Sequence, residues 1–555
     1  MNMKLFNKPA KLILLVVSLV VGVSAVTWKD GDRMFEISKN IEIFVNVFKE
    51  LNKNYVDEID PAELMRIGID AMVSSLDPFT NYISESQVER YRISDDERFQ
   101  GIGASVVVLD EKAMVTDLME GGAAVAAGLN AGDEMLSING ESLKGKPAEE
   151  IQVMLRGTAG SVVKLEVKRN GSGKTEILSV ERGEINIPNV PYAGMVADGI
   201  AYIHLTVFTD NAGANIQKEL KRLKREASDS TAIKGLVLDL RYNGGGLLRE
   251  AVNICNLFIP KGAEVVFTRG KSKAQEQSFK TLAIPYDLDI PITVLINKKS
   301  ASASEIVSGV IQDKDRGVII GQRSYGKGLV QNTFELGYNN RVKVTTSKYY
   351  IPSGRCIQGV EYKNGEPVDI ADNKRSKFKT SNGRTVLDGG GITPDVKLPA
   401  HEPASVTQAL LDQHLIFAYA NDYVLKHDSI KSIDNYTFTA FDEFLAFIRK
   451  KNFSYETDAE KEVKVLAKKC GDNAALQSII GSEVKMMKDK LEAEKSKDLA
   501  KHKDEIIIEI EKEIISRYFY QKGRTKIGLK RDKEVDEAVA LLNDKPRYNN
   551  LLGKK

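Results

Sequence analysis

Residues 291–312 read PITVLINKKSASASEIVSGVIQ, and this stretch decides the fold class. Its first seven residues are mostly aliphatic or β-branched, which is typical of a buried strand. From Ile306 onward, apolar residues return at the spacing of a helix face. A strand that turns directly into a helix predicts an α/β unit, and open α/β sheets place their active sites at such turns. Ser302 lies at this turn and is therefore a candidate functional residue.

The same turn supports a second interpretation. Ser302 and Glu305 have the Ser-x-x-Glu spacing of a helix capping box. In that arrangement the serine would do no more than satisfy backbone N–H groups at the start of the helix. These residues alone leave both interpretations open.

The α/β pattern extends on both sides of this stretch, over residues 185–400. Residues 200–205 predict another strand and residues 235–240 another buried strand, and residues 214–225 predict a helix between them. Residues 342–350 favour an antiparallel strand instead. We therefore predict an α/β core with a mixed sheet, within a multidomain α+β protein.

A second unit is predicted for residues 97–184, where short strands alternate with glycine turns. It opens with the loop Gly101-Ile102-Gly103-Ala104, which runs into a β-branched strand. This unit resembles a PDZ domain. The resemblance implies that N–H groups of the loop bind the terminal carboxylate of a peptide, while the following strand adds the peptide to its sheet.

Two further regions predict helices, the N-terminal region 32–96 and the C-terminal region 401–555. Residues 406–423 and 482–520 are the longest helical stretches of the second region. Much of the latter stretch is charged and its apolar stripe is thin. This pattern favours a solvated amphipathic helix packed on the body over a special interaction site.

The first residues have the pattern of an export signal. Lys4, Lys8 and Lys11 precede a short apolar run, and small residues follow at 23–25. The run is shorter than the roughly 20 residues that span a bilayer. We expect export to a bacterial cell envelope or periplasm, and we leave open whether residues 1–26 are a cleaved signal peptide or a membrane anchor.

Composition excludes several classes of protein. A chain of 555 residues predicts three or four domains at roughly 150 residues each. Lysine and arginine number 79 against 77 aspartate and glutamate residues, so no basic field attracts nucleic acid. The three cysteines have no Cys-x-x-Cys spacing and the five histidines are scattered. No metal or cofactor is therefore predicted.

A second loop of the α/β region, residues 321–331, reads GQRSYGKGLVQ. Lys327 is flanked by glycines, which permit a tight turn that could bring its amine inward. The loop is not a phosphate-binding loop, because Gly328 stands where that motif requires serine or threonine.

The serine turn, residues 325–328 and Gln331 together resemble the active-site signature of the carboxyl-terminal processing peptidases. These are secreted or envelope serine proteases with an embedded PDZ domain. Four further segments agree with that family, at residues 76–78, 239–246, 349–355 and 390–395. Gly244 departs from the family, which often has proline there. The resemblance covers about residues 32–400, and the long helical tail is not a general feature of the family.

The resemblance implies a Ser-Lys dyad. Ser302 would attack the scissile carbonyl, Lys327 would be the neutral general base, and Gln331 would orient the lysine amine. The N–H groups of Ala303 and Gly245 would form the oxyanion hole.

Arg156 resembles an arginine that the family has after its PDZ helix. There it would couple peptide binding to the protease body, although an ordinary surface arginine is an equal alternative. The partners expected for this chain are proteins with exposed C-terminal tails. A membrane contact through the N-terminus and a homo-oligomer are left open.

Other functions are weighed against this one. A Ser-His-Asp triad would need His204 of the α/β core, and its place in a strand favours a core or rim histidine. A non-catalytic PDZ adaptor and an envelope scaffold built on the charged tail remain as alternatives.

Overall fold

The computed structural model describes residues 33–85, 87–88, 98–227, 232–363, 365–369 and 371–554. The predicted export signal at residues 1–26 lies outside these ranges. Within them, none of the helices is both long enough and apolar enough to cross a membrane. The described chain divides into two compact units, a smaller one that includes the N-terminal helices and a larger one with the rest of the fold.

The smaller unit confirms the predicted N-terminal helices. Residues 33–54 are helical, and a second helix spans Pro61–Ser74. Asp60 caps the second helix, since its carboxylate accepts the N–H of Ala62 at 2.8 Å. A short strand, Asn81–Ile83, pairs antiparallel with residues 341–343.

The larger unit begins with the predicted PDZ sheet, whose strands are Ala104–Leu109, Lys112–Leu118, Glu134–Ile138, Glu141–Ser142, Val162–Lys168 and Thr175–Glu181. Among the described residues, Ala104–Leu109 is an edge strand of this sheet. Its helices are Ala123–Ala126 and Ala148–Leu155. The strands Arg98–Gly101 and Gly183–Asn186 form a separate antiparallel pair, which lies at the two sequence ends of the predicted PDZ region.

The predicted mixed sheet is confirmed. In the described residues its strands follow the spatial order Tyr192–Ala197, Ile200–His204, Gly235–Asp239, Ile292–Ile296, Val318–Gly321 and Val396–Lys397. The first two pair antiparallel, and the other neighbours pair parallel. One face packs on a core that includes residues of three helices, Ala212–Glu226, Leu248–Phe258 and Ala303–Asp313.

A second, antiparallel sheet carries the strand predicted at residues 342–350, which spans Asn340–Tyr350. Its other strands include Glu264–Gly270 and Gln277–Lys280 of the larger unit, and Leu329–Gly337 pairs with Asn340–Tyr350. Further short strands are Val360–Lys363, Glu366–Asp369, Lys377–Lys379 and Thr385–Leu387.

The tail is helical, as predicted, but its long stretches are broken. Its first seven helices are Ser405–Asp412, Leu415–Val424, Phe441–Lys450, Asp458–Gly471, Ala474–Lys495, Asp498–Lys501 and Lys503–Leu529, counted within the described residues. The helix expected at residues 482–520 is interrupted near Ser496 and again at His502. Tyr520 then kinks the last of these helices, with φ 52° and ψ −154°.

The final helices of the tail, Lys533–Asn543 and Lys545–Leu551, cover the second face of the mixed sheet. Leu541 is fully buried there among apolar residues of the central strands. The Tyr548 hydroxyl accepts the N–H of Ile292 at 2.9 Å. These two helices are therefore the apolar layer on this face of the mixed sheet.

We predict that Leu541→Ala destabilises the protein strongly. Truncating a fully buried leucine removes its apolar contacts and leaves a cavity, which costs about 2–5 kcal/mol. Thermal unfolding followed by circular dichroism should show a clearly lower midpoint. Leu476→Ala, at an exposed position of another tail helix, is the control and should change the midpoint little. Equal midpoints for the two variants would contradict the packing described here.

Candidate active site

The turn that carries Ser302 is held by backbone and hydroxyl hydrogen bonds. The Ser300 hydroxyl donates to the carbonyl of Leu240 at 2.8 Å and accepts the N–H of Asn297 at 2.9 Å. Ser302 has φ 56° and ψ −114°, a backbone conformation that is rare for a residue with a side chain. Such strain persists where the surrounding structure fixes it, and it is common at active sites.

Ser302 is also the N-cap residue of the buried helix Ala303–Asp313. Its N–H donates to Glu305 Oε2 at 2.8 Å, which is the reciprocal bond expected of a capping box. Its side chain is half-buried and therefore reachable from solvent. The cap position predicted from the sequence is confirmed, and it does not remove Ser302 from the surface.

The loop after strand Gly235–Asp239 packs directly on this turn through Asn243. Asn243 is fully buried, and its side chain donates to the carbonyl of Leu205 at 2.8 Å. Its own carbonyl accepts the N–H of Ala301 at 3.0 Å and the hydroxyl of Ser304 at 2.9 Å. The two loops are thereby fixed against each other.

Gly245 touches the serine itself. It has φ 102°, and a Cβ built there would lie 2.8 Å from the Cβ of Ser302. Its N–H donates to Asn243 Oδ1 at 2.9 Å. The N–H of Ala303 is at the first position of a helix, where no carbonyl of the same helix is available to accept it. The oxyanion-hole roles of Ala303 and Gly245 stay predictions, and the N–H of Gly245 is bound to Asn243 in this structure.

The carboxylate of Glu305 joins the turn that carries Ser302 (the serine turn) to the loop of residues 324–328 (the lysine turn). Oε2 accepts the N–H of Ser302 and also the N–H of Lys327, at 2.8 and 2.9 Å. Oε1 accepts the N–H of Gly326 at 2.7 Å and the hydroxyl of Ser324 at 2.6 Å. Burial raises the pKa of Glu305 to about 7, although these four donors favour the charged form.

The glycines on either side of Lys327 are required by close contacts. A Cβ on Gly326 would lie 2.7 Å from the Cα of Gly359, and Gly326 has φ 88°. A Cβ on Gly328 would lie 2.4 Å from the backbone nitrogen of Gln358. These contacts account for glycine at both positions, and the tight turn that the sequence predicts at Lys327 stays a prediction.

Tyr349 is buried beside both predicted dyad residues. Its hydroxyl donates to the backbone carbonyl of Lys327. Its oxygen also interacts with the side chain of Ser302, and burial raises the pKa of Tyr349 well above its usual value. The structure thus brings Ser302 and the backbone of Lys327 together around Tyr349 and Glu305.

Gln331 lies in the strand Leu329–Gly337, just after the lysine turn. Its side-chain amide donates to Thr345 Oγ1 at 3.2 Å. Its predicted role, holding the amine of Lys327, stays a prediction.

The predicted carboxylate loop of the PDZ domain lies at the start of the edge strand. Gly101, Ile102 and Ala104 are buried, and Gly103 has φ 74°. The side chain of Gln152, on the neighbouring helix, donates to the carbonyl of Ala104 at 2.9 Å.

Arg156 is exposed and ends the PDZ helix beside this loop. A Cβ on Gly101 would lie 3.7 Å from the Cα of Arg156. Its coupling role stays a prediction.

His204 ends a strand next to Asp239 of the neighbouring strand. Burial lowers its pKa, and its Nδ1 has no hydrogen-bond partner. In the part of the chain that the structure describes, no group of three or more His, Cys, Asp or Glu side chains is placed to hold a metal ion.

Sequence reasoning found Ser302 and the lysine turn but missed how they are joined. The sequence shows Glu305 as a capping residue, and nothing in the spacing of Glu305 and Lys327 indicates a hydrogen bond between them. Asn243 and Tyr349 lie within segments that carried the family resemblance, and that resemblance was the available signal.

Three family models match the chain. "Peptidase family S41" matches residues 199–364, "PDZ domain" matches residues 92–168, and "Probable PDZ-protease, C-terminal helical domain" matches residues 406–542.

Curated relatives agree with these matches. A carboxy-terminal-processing protease of Bartonella bacilliformis is 34% identical over 348 residues, which are 63% of this chain and 79% of the relative. A probable CtpA-like serine protease of Staphylococcus aureus is 33% identical over 333 residues, 60% of this chain and 65% of the relative. The solved photosystem II D1 C-terminal processing protease is 25% identical, with a TM-score of 0.35, and the match covers 64% of this chain and 92% of that one.

We predict that the stability of this protein depends on pH through Glu305. Burial raises the pKa of Glu305 from 4.5 to about 7, so between these values the folded protein binds a proton more tightly than the unfolded chain. The contribution of Glu305 to the free energy of unfolding is then fully present below pH 4.5 and declines as the pH rises to about 7. Thermal unfolding should therefore show that the midpoint of wild type falls relative to that of Glu305→Gln as the pH rises over this range.

The control for this experiment is Glu335→Gln, which changes an exposed carboxylate. Its midpoint difference from wild type should stay constant over the same range. The same pH trend in both variants would show that Glu305 is not the group responsible.

Proposed function

The chain belongs to the carboxy-terminal-processing proteases of peptidase family S41, serine peptidases with a PDZ domain, and from this premise we propose that it cleaves protein tails with a Ser302–Lys327 dyad. The observation that carries the proposal is the shared acceptor Glu305 Oε2, which binds the N–H groups of both residues.

Ser302 is suited to be the nucleophile. It is half-buried at the N-terminus of a helix, where the backbone N–H groups and the helix dipole stabilise negative charge. When its oxygen attacks the scissile carbonyl, the developing oxyanion would accept the N–H of Ala303. The Ser302 side chain also interacts with Tyr349, which is buried beside it.

Lys327 is suited to be the base because its backbone is fixed at both ends. Its N–H donates to Glu305 and its carbonyl accepts from Tyr349, which limits the directions that its half-buried side chain can take. A neutral amine would accept the Ser302 proton and then give it to the leaving amine. Water would then hydrolyse the acyl-enzyme by the same proton path in reverse.

The PDZ domain supplies the substrate class. Its edge strand can accept a peptide as an additional strand, and the loop at residues 101–104 offers N–H groups to a terminal carboxylate. The substrate is therefore a protein whose C-terminal tail is free enough to become extended.

We predict that Ser302→Ala and Lys327→Ala each abolish cleavage, because each removes one member of the nucleophile–base pair. Removal of such a group typically costs at least about a thousandfold in kcat. The assay is release of a C-terminal fragment from a protein with an unstructured tail, followed by mass spectrometry. Lys298→Ala, at an exposed lysine near the serine turn, is the matched control and should cleave normally.

The outcome that excludes this dyad is cleavage at the wild-type rate in either of the two variants. A fluorophosphonate probe that labels wild type but not Ser302→Ala would identify the nucleophile independently of the tail substrate.

We predict that amidating the terminal carboxylate of the substrate tail weakens its capture, since the amide carries no charge for the loop at residues 101–104. Gly103→Ala should weaken capture of the free-acid tail as well, because Gly103 has φ 74° and a Cβ would press on Met119. Fluorescence anisotropy of labelled tail peptides on the Ser302→Ala protein measures both effects.

The control is Gly140→Ala, which has a similar φ of 84° but open space around it and lies outside the loop. It should bind the free-acid tail as wild type does. Equal affinity for free-acid and amidated tails would show that the loop does not read the carboxylate.

A further inference from the structure

Arg241 lies between the central sheet and the loop that touches the serine. It follows strand Gly235–Asp239 and precedes the turn of Asn243 and Gly245 by two residues. Its side chain binds Asp239 through three bonds, from Nε to Oδ1 and Oδ2 at 3.0 Å each and from Nη2 to Oδ2 at 2.6 Å. This pair alone would neutralise the guanidinium.

The tail adds two more carboxylates to the same guanidinium. Arg241 Nη2 lies 2.8 Å from Asp532 Oδ2, and Nη1 donates to Glu534 Oε2 at 2.5 Å. Both acids lie at the start of the helix Lys533–Asn543, where Asp532 is the N-cap residue. The amide of Gln322, directly after a strand of the sheet, donates to the other oxygen of Glu534.

These acids are well placed to fix the geometry of Arg241. Its side chain is 13% exposed, and the acidic side chains are 20% and 15% exposed, so water competes weakly for these bonds. Burial opposes the charge of Arg241, but Asp239 and Asp532 outweigh it and raise the pKa of Arg241 well above its usual range. Because the planar guanidinium binds carboxylates on two sides, it cannot rotate without breaking several charged hydrogen bonds.

From Arg241 the path to the serine is short and consists of fixed contacts. The N–H of Arg241 donates to Asp239 Oδ1 at 2.9 Å, and the N–H of Tyr242 donates to Asn297 Oδ1 at 3.0 Å. Asn243 then binds the serine turn through its carbonyl, and Gly245 packs on Ser302. A shift of Arg241 would therefore move the loop that borders the nucleophile.

We propose that Asp532 and Glu534 are positioning residues of the peptidase site, which hold Arg241 and through it the loop of Asn243 and Gly245 against Ser302. This inference rests on the function proposed above for Ser302. It gives the C-terminal helical domain a part in the reaction as well as in stability.

The test is the double variant Asp532→Asn with Glu534→Gln in the full chain. Asparagine still caps the helix and glutamine keeps the length of Glu534, so the fold should persist while the charges are lost. We expect kcat for tail cleavage and the labelling rate of Ser302 by a small fluorophosphonate to fall about tenfold, since small misplacement of reacting groups is costly. KM should change little, because the PDZ groove is untouched.

The matched control is Glu537→Gln on the same helix, which breaks the ion pair with Arg547 instead. It should keep the wild-type kcat and labelling rate. Unchanged rates in the double variant, or an equal loss in both variants, would overturn the inference. So would a fall in the unfolding midpoint of the double variant large enough to account for the lost activity.

Failure of the proposed function gives a different result. Wild-type protein that neither cleaves tails nor labels at Ser302 would refute the dyad itself, and this inference with it.

Discussion

Four hydrogen-bond donors from two distant loops meet at the carboxylate of Glu305. They are the N–H groups of Ser302, Gly326 and Lys327 and the hydroxyl of Ser324. Because Glu305 is fully buried, an ionised carboxylate without partners would cost on the order of several kcal/mol. The four donors offset part of this cost, so the serine turn and the lysine turn stabilise each other through this one group.

The sheet makes this meeting possible. Strands Ile292–Ile296 and Val318–Gly321 are parallel neighbours, so the loops that follow them leave the same edge. Helix Ala303–Asp313 is buried along its whole length, which prevents Glu305 from turning to solvent. The strained backbone of Ser302 lies at this junction, between the buried helix that it caps and the loop that precedes it.

Much of this could be predicted from the sequence, and the exceptions share a physical cause. The strand–turn–helix at residues 291–312 is a local pattern and is confirmed, and the glycines on either side of Lys327 lie where close contacts require them. The hydrogen bond from Gly245 to Asn243 and the contact of Gln331 with Thr345 depend on how loops meet in space, which spacing does not encode. The sequence does not predict the break at His502, because charge pattern and helix propensity do not show where packing divides a helix.

The sequence also indicates, indirectly, that both faces of the central sheet are covered. Residues 235–238 are apolar without alternation, a pattern typical of a strand that is buried on both faces. Leu236 and Leu238 face the helices of the protease region, whereas Val237 packs with Val535 and Leu541 of the tail. The family resemblance places the site within residues 32–400. The sheet that carries this site is nevertheless covered on its second face by helices of the tail. Asp532 and Glu534 begin the helix that provides this cover, so the same element that buries strand Gly235–Asp239 also binds Arg241 just beyond its end.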